Sequence, residues 1–170
     1  TEPPQGWGPP WLGPPHPNGV FPLPPGSGGA PRGGGFRVAF PLRTNYQWAR
    51  FRGTLRGGVR AVTACLWLRP GGGAVLGTPF SYAAPGQPNE LVLLAWGGRP
   101  MELLVDDQAV ALSLAPRPGR WQHVCVSWAA AGGAWRSFQD GAPRAGGGGL
   151  ASGHPLRGHG VLVLGQEQVG

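Results

Sequence analysis

Glycine and proline are so frequent in this chain that they decide which folds it can adopt. They number 33 and 21 of 170 residues, nearly a third of the chain, where about an eighth is usual. Because these two residues are the poorest helix formers, the composition excludes a helical bundle and a coiled coil. No apolar run approaches the ~20 residues that cross a bilayer, so we expect no transmembrane segment in this fragment.

Glycine and proline are unevenly distributed along the chain. Residues 1–35 contain 11 prolines and 10 glycines, and such a segment cannot bury enough apolar surface to offset its ordering entropy. We therefore predict a disordered Pro/Gly-rich linker over 1–35 and a folded domain over 36–170.

From residue 36 onward, short apolar runs alternate with turn residues, as in an all-β domain. The candidate strands are Phe36–Phe40, Gln47–Thr54, Ala61–Arg69, Pro79–Ala83, Glu90–Trp96, Met101–Val105, Ala109–Leu114, Trp121–Trp128, Ala134–Gln139 and Val161–Gly165. The Gly-rich stretch Arg144–His159 is expected to be a long loop.

Two kinds of strand pattern indicate how these strands pack. In Met101–Val105 the apolar residues alternate, which gives one buried face. Leu91–Leu94 and Val161–Leu164 are apolar on both faces, as in strands at the centre of a sandwich or under a covering element. Many short strands without helical periodicity predict an antiparallel two-sheet β-sandwich of the jelly-roll type.

Cys65 and Cys125 are the only cysteines, and each lies within an apolar strand. Their spacing excludes a CxxC metal or redox motif. Two interpretations are open from the pattern alone: two buried free thiols, or one disulfide that links two strands of a secreted domain.

The basic charge of the chain has two explanations. All 14 basic residues are arginines and the formal net charge is +7, a balance that favours nucleic acid or another acidic surface. Arg, Gly, Pro and Ala also share GC-rich codons, and the only Arg-Gly-Gly clusters begin at Arg32 and Arg56. An Arg-rich nucleic-acid binder is therefore kept as a minor alternative.

No catalytic constellation is evident. His123 and Ser127 lie four apart on a predicted strand, about 13 Å, which is too far for a Ser–His pair. His154 and His159 lack zinc-ligand partners in the sequence and are interpreted as loop residues. The tryptophans at strand positions are expected mainly in the core; they are Trp48, Trp67, Trp96, Trp121, Trp128 and Trp135.

The run His123-Val124-Cys125-Val126-Ser127-Trp128 resembles the pentraxin signature His-x-Cys-x-Ser/Thr-Trp. Further blocks resemble the domain of the neuronal pentraxins and the neuronal pentraxin receptor, in the family's order over residues 36–168. These blocks are Phe40–Tyr46, Gly77–Ala83, Pro85–Gln87, Asn89–Leu93, Pro100–Leu104, Gln139–Gly141 and Gly160–Gln168.

The resemblance implies a secreted or cell-surface, lectin-like jelly roll that binds calcium, forms oligomers and has no enzymatic activity. It also implies a Cys65–Cys125 disulfide, because the family's equivalent cysteines are bridged. The neuronal members act at synapses, where they cluster AMPA-type glutamate receptors, so the implied partners are such receptors and other pentraxin domains.

Three residues correspond to the family's calcium ligands: Asn89, Glu167 and Gln168. The chain departs from the family at Val169, where the motif has an Asp, and at Ala130, where the signature has Ser or Thr. The family's domain also continues beyond Gly170, so we expect a partial domain, incomplete at its C-terminus, with a weakened calcium site.

The sequence thus predicts an extracellular recognition module of the neuronal pentraxin type, which binds protein partners with the help of calcium. A pentraxin module within a larger adhesion-type cell-surface receptor is the main alternative.

Overall fold

A computed structural model describes residues 20–21, 37–41, 46–71 and 76–168. It divides into two units, Thr1–Ala49 and Arg50–Gly170. In the first unit, β1 (Val20–Phe21) pairs antiparallel with β2 (Arg37–Val38). Apart from Val20 and Phe21, the predicted linker lies outside the described residues. A short strand, β3 (Ala49–Arg50), lies at the division.

Among its described residues, the larger unit has nine further strands and one 3₁₀ turn. They are β4 (Ala61–Leu68), β5 (Leu76–Ala84), β6 (Gln87–Trp96), β7 (Glu102–Val105), β8 (Gln108–Ala111), β9 (Gln122–Ala129), the 3₁₀ turn Ala131–Gly133, β10 (Ala134–Gln139), β11 (Ala142–Gly147) and β12 (Val161–Leu164). Within the described ranges, no helix is long and apolar enough to span a membrane.

Four strands form the smaller sheet, in the order β11-β10-β9-β4, and all neighbours are antiparallel. Strand β9 shows the alternation of a one-sided strand: Val124, Val126 and Trp128 are buried, and the residues between them are partly exposed. Trp128 donates its indole N–H to the carbonyl oxygen of Leu150 at 2.9 Å, so the signature tryptophan is buried with its polar atom satisfied.

The larger sheet runs β12-β5-β6-β7-β8, again antiparallel. On the other side of β12, the amide of Phe51 donates to Leu162 O at 3.0 Å. Strand β6 lies at the centre of this order, and Leu91–Leu94 are buried on both faces. The two-sided apolar pattern of this segment was therefore correctly interpreted as a central strand.

One hydrophobic core joins the two sheets. It contains Leu93 and Leu103 from the larger sheet and Val124 and Trp128 from the smaller one. Burial of such side chains contributes about 1.5–3 kcal/mol each. The predicted antiparallel two-sheet sandwich is confirmed.

The prediction of a loop over Arg144–His159 is wrong at its beginning. Ala142–Gly147 form β11, which pairs with β10 after a tight turn at Asp140 and Gly141, both at positive φ (53° and 80°). A Cβ on Gly147 would lie 2.9 Å from the indole Nε1 of Trp135. The glycine that suggested a loop instead permits close packing of a strand against an aromatic ring.

The expectation that the tryptophans lie mainly in the core is also wrong. Trp128 is buried, but Trp67 is 63% exposed and three others are about 40% exposed: Trp48, Trp96 and Trp121. Trp67 lies on the outward face of β4, where the residues alternate with those that face the core. Trp96 ends β6 and is held at the surface by Glu102, whose Oε2 accepts its indole N–H at 2.6 Å.

Candidate functional site

Asn89, a predicted calcium ligand, lies near the start of β6 against the β7–β8 turn. Its backbone N–H donates to Gln87 Oε1 at 3.0 Å, and its Nδ2 donates to Asp107 Oδ1 at 2.8 Å. Its Oδ1 is buried, and among the described residues it has no hydrogen-bond partner. An orphaned amide oxygen of this kind is suited to a cation, because Ca²⁺ takes side-chain amide oxygens as ligands.

Glu167 and Gln168, the other two predicted ligands, follow β12. Glu167 is exposed. Gln168 Nε2 donates to Ser81 O at 3.0 Å, Ser81 Oγ at 3.1 Å and Val161 O at 2.9 Å. The hydrogen bonds thus tie Gln168 to β5 and β12, and Asn89 to the β7–β8 turn. Val169 lies outside the described residues.

These three side chains fit calcium in chemistry but not in number. They provide one carboxylate and two amide groups, whereas Ca²⁺ takes six to eight oxygen ligands. Asn89 and Gln168 are bonded to different elements, and a calcium ion shared by Glu167, Asn89 and Gln168 would need its remaining oxygens from water or from other groups.

Asp107 adds a fixed negative charge beside Asn89. The hydrogen bond from Asn89, followed by the one from Gln87 Nε2 at 2.8 Å, lowers the pKa of the Asp107 carboxyl below its ordinary value, against a smaller opposing effect of desolvation. Hydrogen bonds to the ionised form have this effect on a carboxyl group. Asp107 is therefore a carboxylate at neutral pH.

A second polar cluster lies next to Asn89 and was not predicted from the sequence. His154, interpreted above as a loop residue without partners, has two carboxylates beside its ring. Its Nε2 lies 2.8 Å from Glu90 Oε1, and its Nδ1 lies 3.6 Å from Asp106 Oδ2. The one sequence signal was Glu90, an acidic residue at the start of an otherwise apolar strand.

The disulfide between Cys65 and Cys125 is present. The two residues lie directly opposite each other on β4 and β9, with their Cα atoms 4.1 Å apart and an S–S distance of 2.06 Å. It therefore links neighbouring strands of one sheet. Beside it, the Trp67 and His123 rings are in contact, with centroids 5.2 Å apart.

His123 lies on β9 beside the disulfide, and its ring is within 3.8 Å of Cys125 Sγ. It is partly buried, its ring lies against Trp67, and its backbone N–H, not its ring, donates to Asp140 Oδ1 at 2.9 Å. Across β4, His123 lies opposite Trp67 and Ser127 opposite Thr63. This register places the two signature side chains at separate positions along the strand.

Comparisons with known proteins agree with this architecture. The profile described as the Pentaxin family matches residues 37–170. The chain is 47% identical over 133 residues to neuronal pentraxin-1 of Rattus norvegicus and 49% identical to neuronal pentraxin-2 of Homo sapiens, covering 78% of this chain and 31% of each relative. It is 48% identical over 134 residues to the neuronal pentraxin receptor of Rattus norvegicus, of which it covers 27%. The chain thus spans about a third of the length of these relatives.

Two solved structures share the fold. The native heptameric SAP-like pentraxin from Limulus polyphemus superposes with a TM-score of 0.66 at 27% identity, over 76% of this chain and 63% of that one. The extracellular region of zebrafish Gpr126/Adgrg6 superposes with a TM-score of 0.58 at 16% identity, over 71% of this chain and 17% of that one, and shows similarity of fold alone. The predicted lectin-like jelly roll is confirmed, and the chain belongs to the pentraxin family.

Proposed function

We propose that this chain is an extracellular recognition module of the neuronal pentraxin type, which binds protein partners with the help of calcium. The observation that carries the proposal is the identity of 47–49% to neuronal pentraxins over 78% of the chain. The cross-strand disulfide supports it, because such bonds persist in secreted and cell-surface proteins. The proposed role is binding, with no enzymatic activity.

The proposed partners are of two kinds. AMPA-type glutamate receptors are the receptors that this module would cluster at synapses, as the resemblance to neuronal pentraxins implies. Other pentraxin domains would join it in a homo- or hetero-oligomer, and the solved Limulus relative is itself a heptamer.

Calcium would bind at Asn89, Glu167 and Gln168, and weakly. Only Glu167 brings a carboxylate among these residues, and the number of charged ligands is a main determinant of calcium affinity. We expect a dissociation constant of about 1 mM or weaker, in the range of the weakest extracellular modules.

The calcium site is tested by titration of the oxidised 170-residue chain with CaCl₂, with MgCl₂ as the control ion. Asn89→Ala should abolish the calcium response, and Asn89→Asp should retain or strengthen it because it keeps an oxygen at that position. Val169→Asp should tighten binding about tenfold, because it adds a carboxylate. Micromolar binding by the unaltered chain, or an Asn89→Ala variant that binds as well as the parent, would contradict the proposed site.

Partner binding is tested with immobilised ectodomains of AMPA-type receptors, in calcium and then in chelator. Binding that is saturable and falls in chelator supports the proposal. A chain that shows no binding in calcium, in the same assay in which a full-length neuronal pentraxin binds, would contradict it.

A further inference from the structure

Three segments distant in sequence meet at Glu90, Asp106 and His154. Glu90 lies on β6, Asp106 begins the β7–β8 turn, and His154 lies in the loop between β11 and β12. One ligand atom from each residue lies within 4.8 Å of the other two. One imidazole nitrogen and two carboxylate oxygens therefore converge on a space the size of a metal coordination sphere.

The carboxylate of Glu90 is incompletely satisfied. The residue is fully buried. Its Oε1 faces His154 and accepts a hydrogen bond from the backbone N–H of Arg157. Its Oε2 is also buried, and no group among the described residues forms a hydrogen bond to it. A buried carboxylate oxygen without a partner is costly, and a cation bound by both oxygens of Glu90 would remove that cost.

We propose that Glu90, Asp106 and His154 form a binding site for a divalent transition metal ion, with Zn²⁺ as the best-fitting ion. Zn²⁺ binds histidine nitrogen at about 2.0–2.1 Å and carboxylate oxygen at about 2.0–2.2 Å. Tetrahedral ligands at those distances lie about 3.3 Å apart. The 2.8 Å contact between His154 Nε2 and Glu90 Oε1 would widen by about half an ångström. Asp106 lies against the other ring nitrogen, Nδ1, at 3.6 Å, so a rotation of the imidazole or of the Asp106 carboxylate would bring it to the same ion. The fourth position would be open to water.

The mixture of ligands distinguishes this site from the calcium site proposed at Asn89. A calcium site is built from oxygen atoms alone, whereas an imidazole nitrogen suits zinc and its neighbours in the first transition row. The two sites are adjacent in sequence at Asn89 and Glu90 but use different side chains.

The surroundings of the cluster favour a cation. Gln87 Nε2 donates to Asp106 Oδ1 at 3.1 Å and so fixes the carboxylate, as groups around metal ligands commonly do. The competing charge is Arg157, whose guanidinium lies 3.7 Å from the same oxygen. Its side chain is 47% exposed, so it can turn into solvent when a metal ion takes Asp106.

Zinc at this position would tie the loop that carries His154 to β6 and to the β7–β8 turn. A ligand that binds only the folded chain stabilises it in proportion to the logarithm of its concentration. Zinc binding should therefore raise the thermal midpoint of the protein as well as produce binding heat.

The test is a titration of the full chain with zinc after bound metal has been removed with a chelator. The buffer contains neither calcium nor reductant, and a thiol assay confirms that both cysteines are oxidised. Calorimetry should show one zinc equivalent. His154→Gln should weaken binding at least about 100-fold, given that changes to groups merely supporting a ligand already cost 10- to 100-fold. His159→Gln is the matched control, since His159 is exposed in the same loop and its loss should leave zinc affinity unchanged.

Two further measurements keep the result interpretable. If His154→Gln does not fold, the Asp106→Asn variant replaces it in the titration. In the second measurement, Co²⁺ is bound in place of Zn²⁺, and its visible absorption spectrum should be that of an ion bound by nitrogen and oxygen ligands. Absence of saturable zinc binding, equal affinity in His154→Gln, or a loss of affinity in His159→Gln would each overturn the proposal. None of these outcomes depends on calcium binding, so failure here is distinct from failure of the proposed recognition function.

Discussion

At the scale of single residues, the pairing of Asn89 with Asp107 gives a test of the local electrostatics. Because the pKa of Asp107 is lowered on folding, its ionised carboxylate stabilises the folded chain at pH values above its ordinary pKa of 3.8. This stabilisation is lost as the pH falls through the lower pKa of the folded state. Asn89→Ala removes the largest cause of the shift. We expect the pKa of Asp107 to rise toward its ordinary value, as measured by carboxyl ¹³C NMR titration in chelator.

Gln168→Ala is the control for this prediction. It also deletes a side-chain amide, but that amide bonds to Ser81 and Val161, so the pKa of Asp107 should not move. An Asn89→Ala variant whose Asp107 titrates as in the parent would show that the Asn89 hydrogen bond does not set the pKa.

At the scale of elements, β4 depends on the disulfide because it lies at the end of the smaller sheet. Its inward side chains, among them Val62 and Leu66, are only partly buried. The bond closes a loop with a sequence separation of 60. Its removal by Cys65→Ser with Cys125→Ser should lower the free energy of unfolding by about 4 kcal/mol, as measured by urea denaturation.

His123→Ala is the control for the disulfide prediction. It alters the same outward face beside the disulfide but leaves the cross-link intact, so its effect should be much smaller. A double serine variant within about 1 kcal/mol of the parent would show that β4 is held by packing alone.

At the scale of the whole molecule, we expect copies of the chain to associate through the free side of β4. Among the described residues β4 has β9 as its only neighbour, and exposed strand edges promote association unless charges protect them. Thr63 is exposed on β4. Thr63→Lys should slow concentration-dependent aggregation, as followed by light scattering.

Ser152→Lys is the control for the edge prediction. It adds the same charge at an exposed loop position, so it separates protection of the edge from the effect of raising the net charge above +7. Equal slowing by both variants would mean that net charge, and not the edge of β4, governs association.

Local patterns along the chain were sufficient to predict much of the sandwich. The alternation in Met101–Val105 placed Met101, Leu103 and Val105 on one buried face, because side chains of a strand point alternately to its two faces. The apolar run Leu91–Leu94 likewise marked a strand buried on both faces. The signature around Cys125 led to the family and, through it, to the disulfide.

Other features depended on contacts between distant parts of the chain. The glycines of β11 made this segment look like a loop in the sequence. They are there because Trp135 on the neighbouring strand packs closely against them, and this contact is visible only once the two strands are paired. Trp67 and Trp128 both lie within strands, but which one is exposed depends on which face of the sheet meets the core.

The sequence by itself determined the fold class, because that depends on residue types and on short-range periodicity. Its resemblance to the pentraxins, block by block, gave the family and the calcium-ligand candidates. Only the tertiary structure decided that Glu90, Asp106 and His154 form one cluster. Their sequence separations carry no information about their distance in space. It is the pairing of β6 with β7, and the return of the loop before β12, that bring the buried carboxylate and the imidazole together.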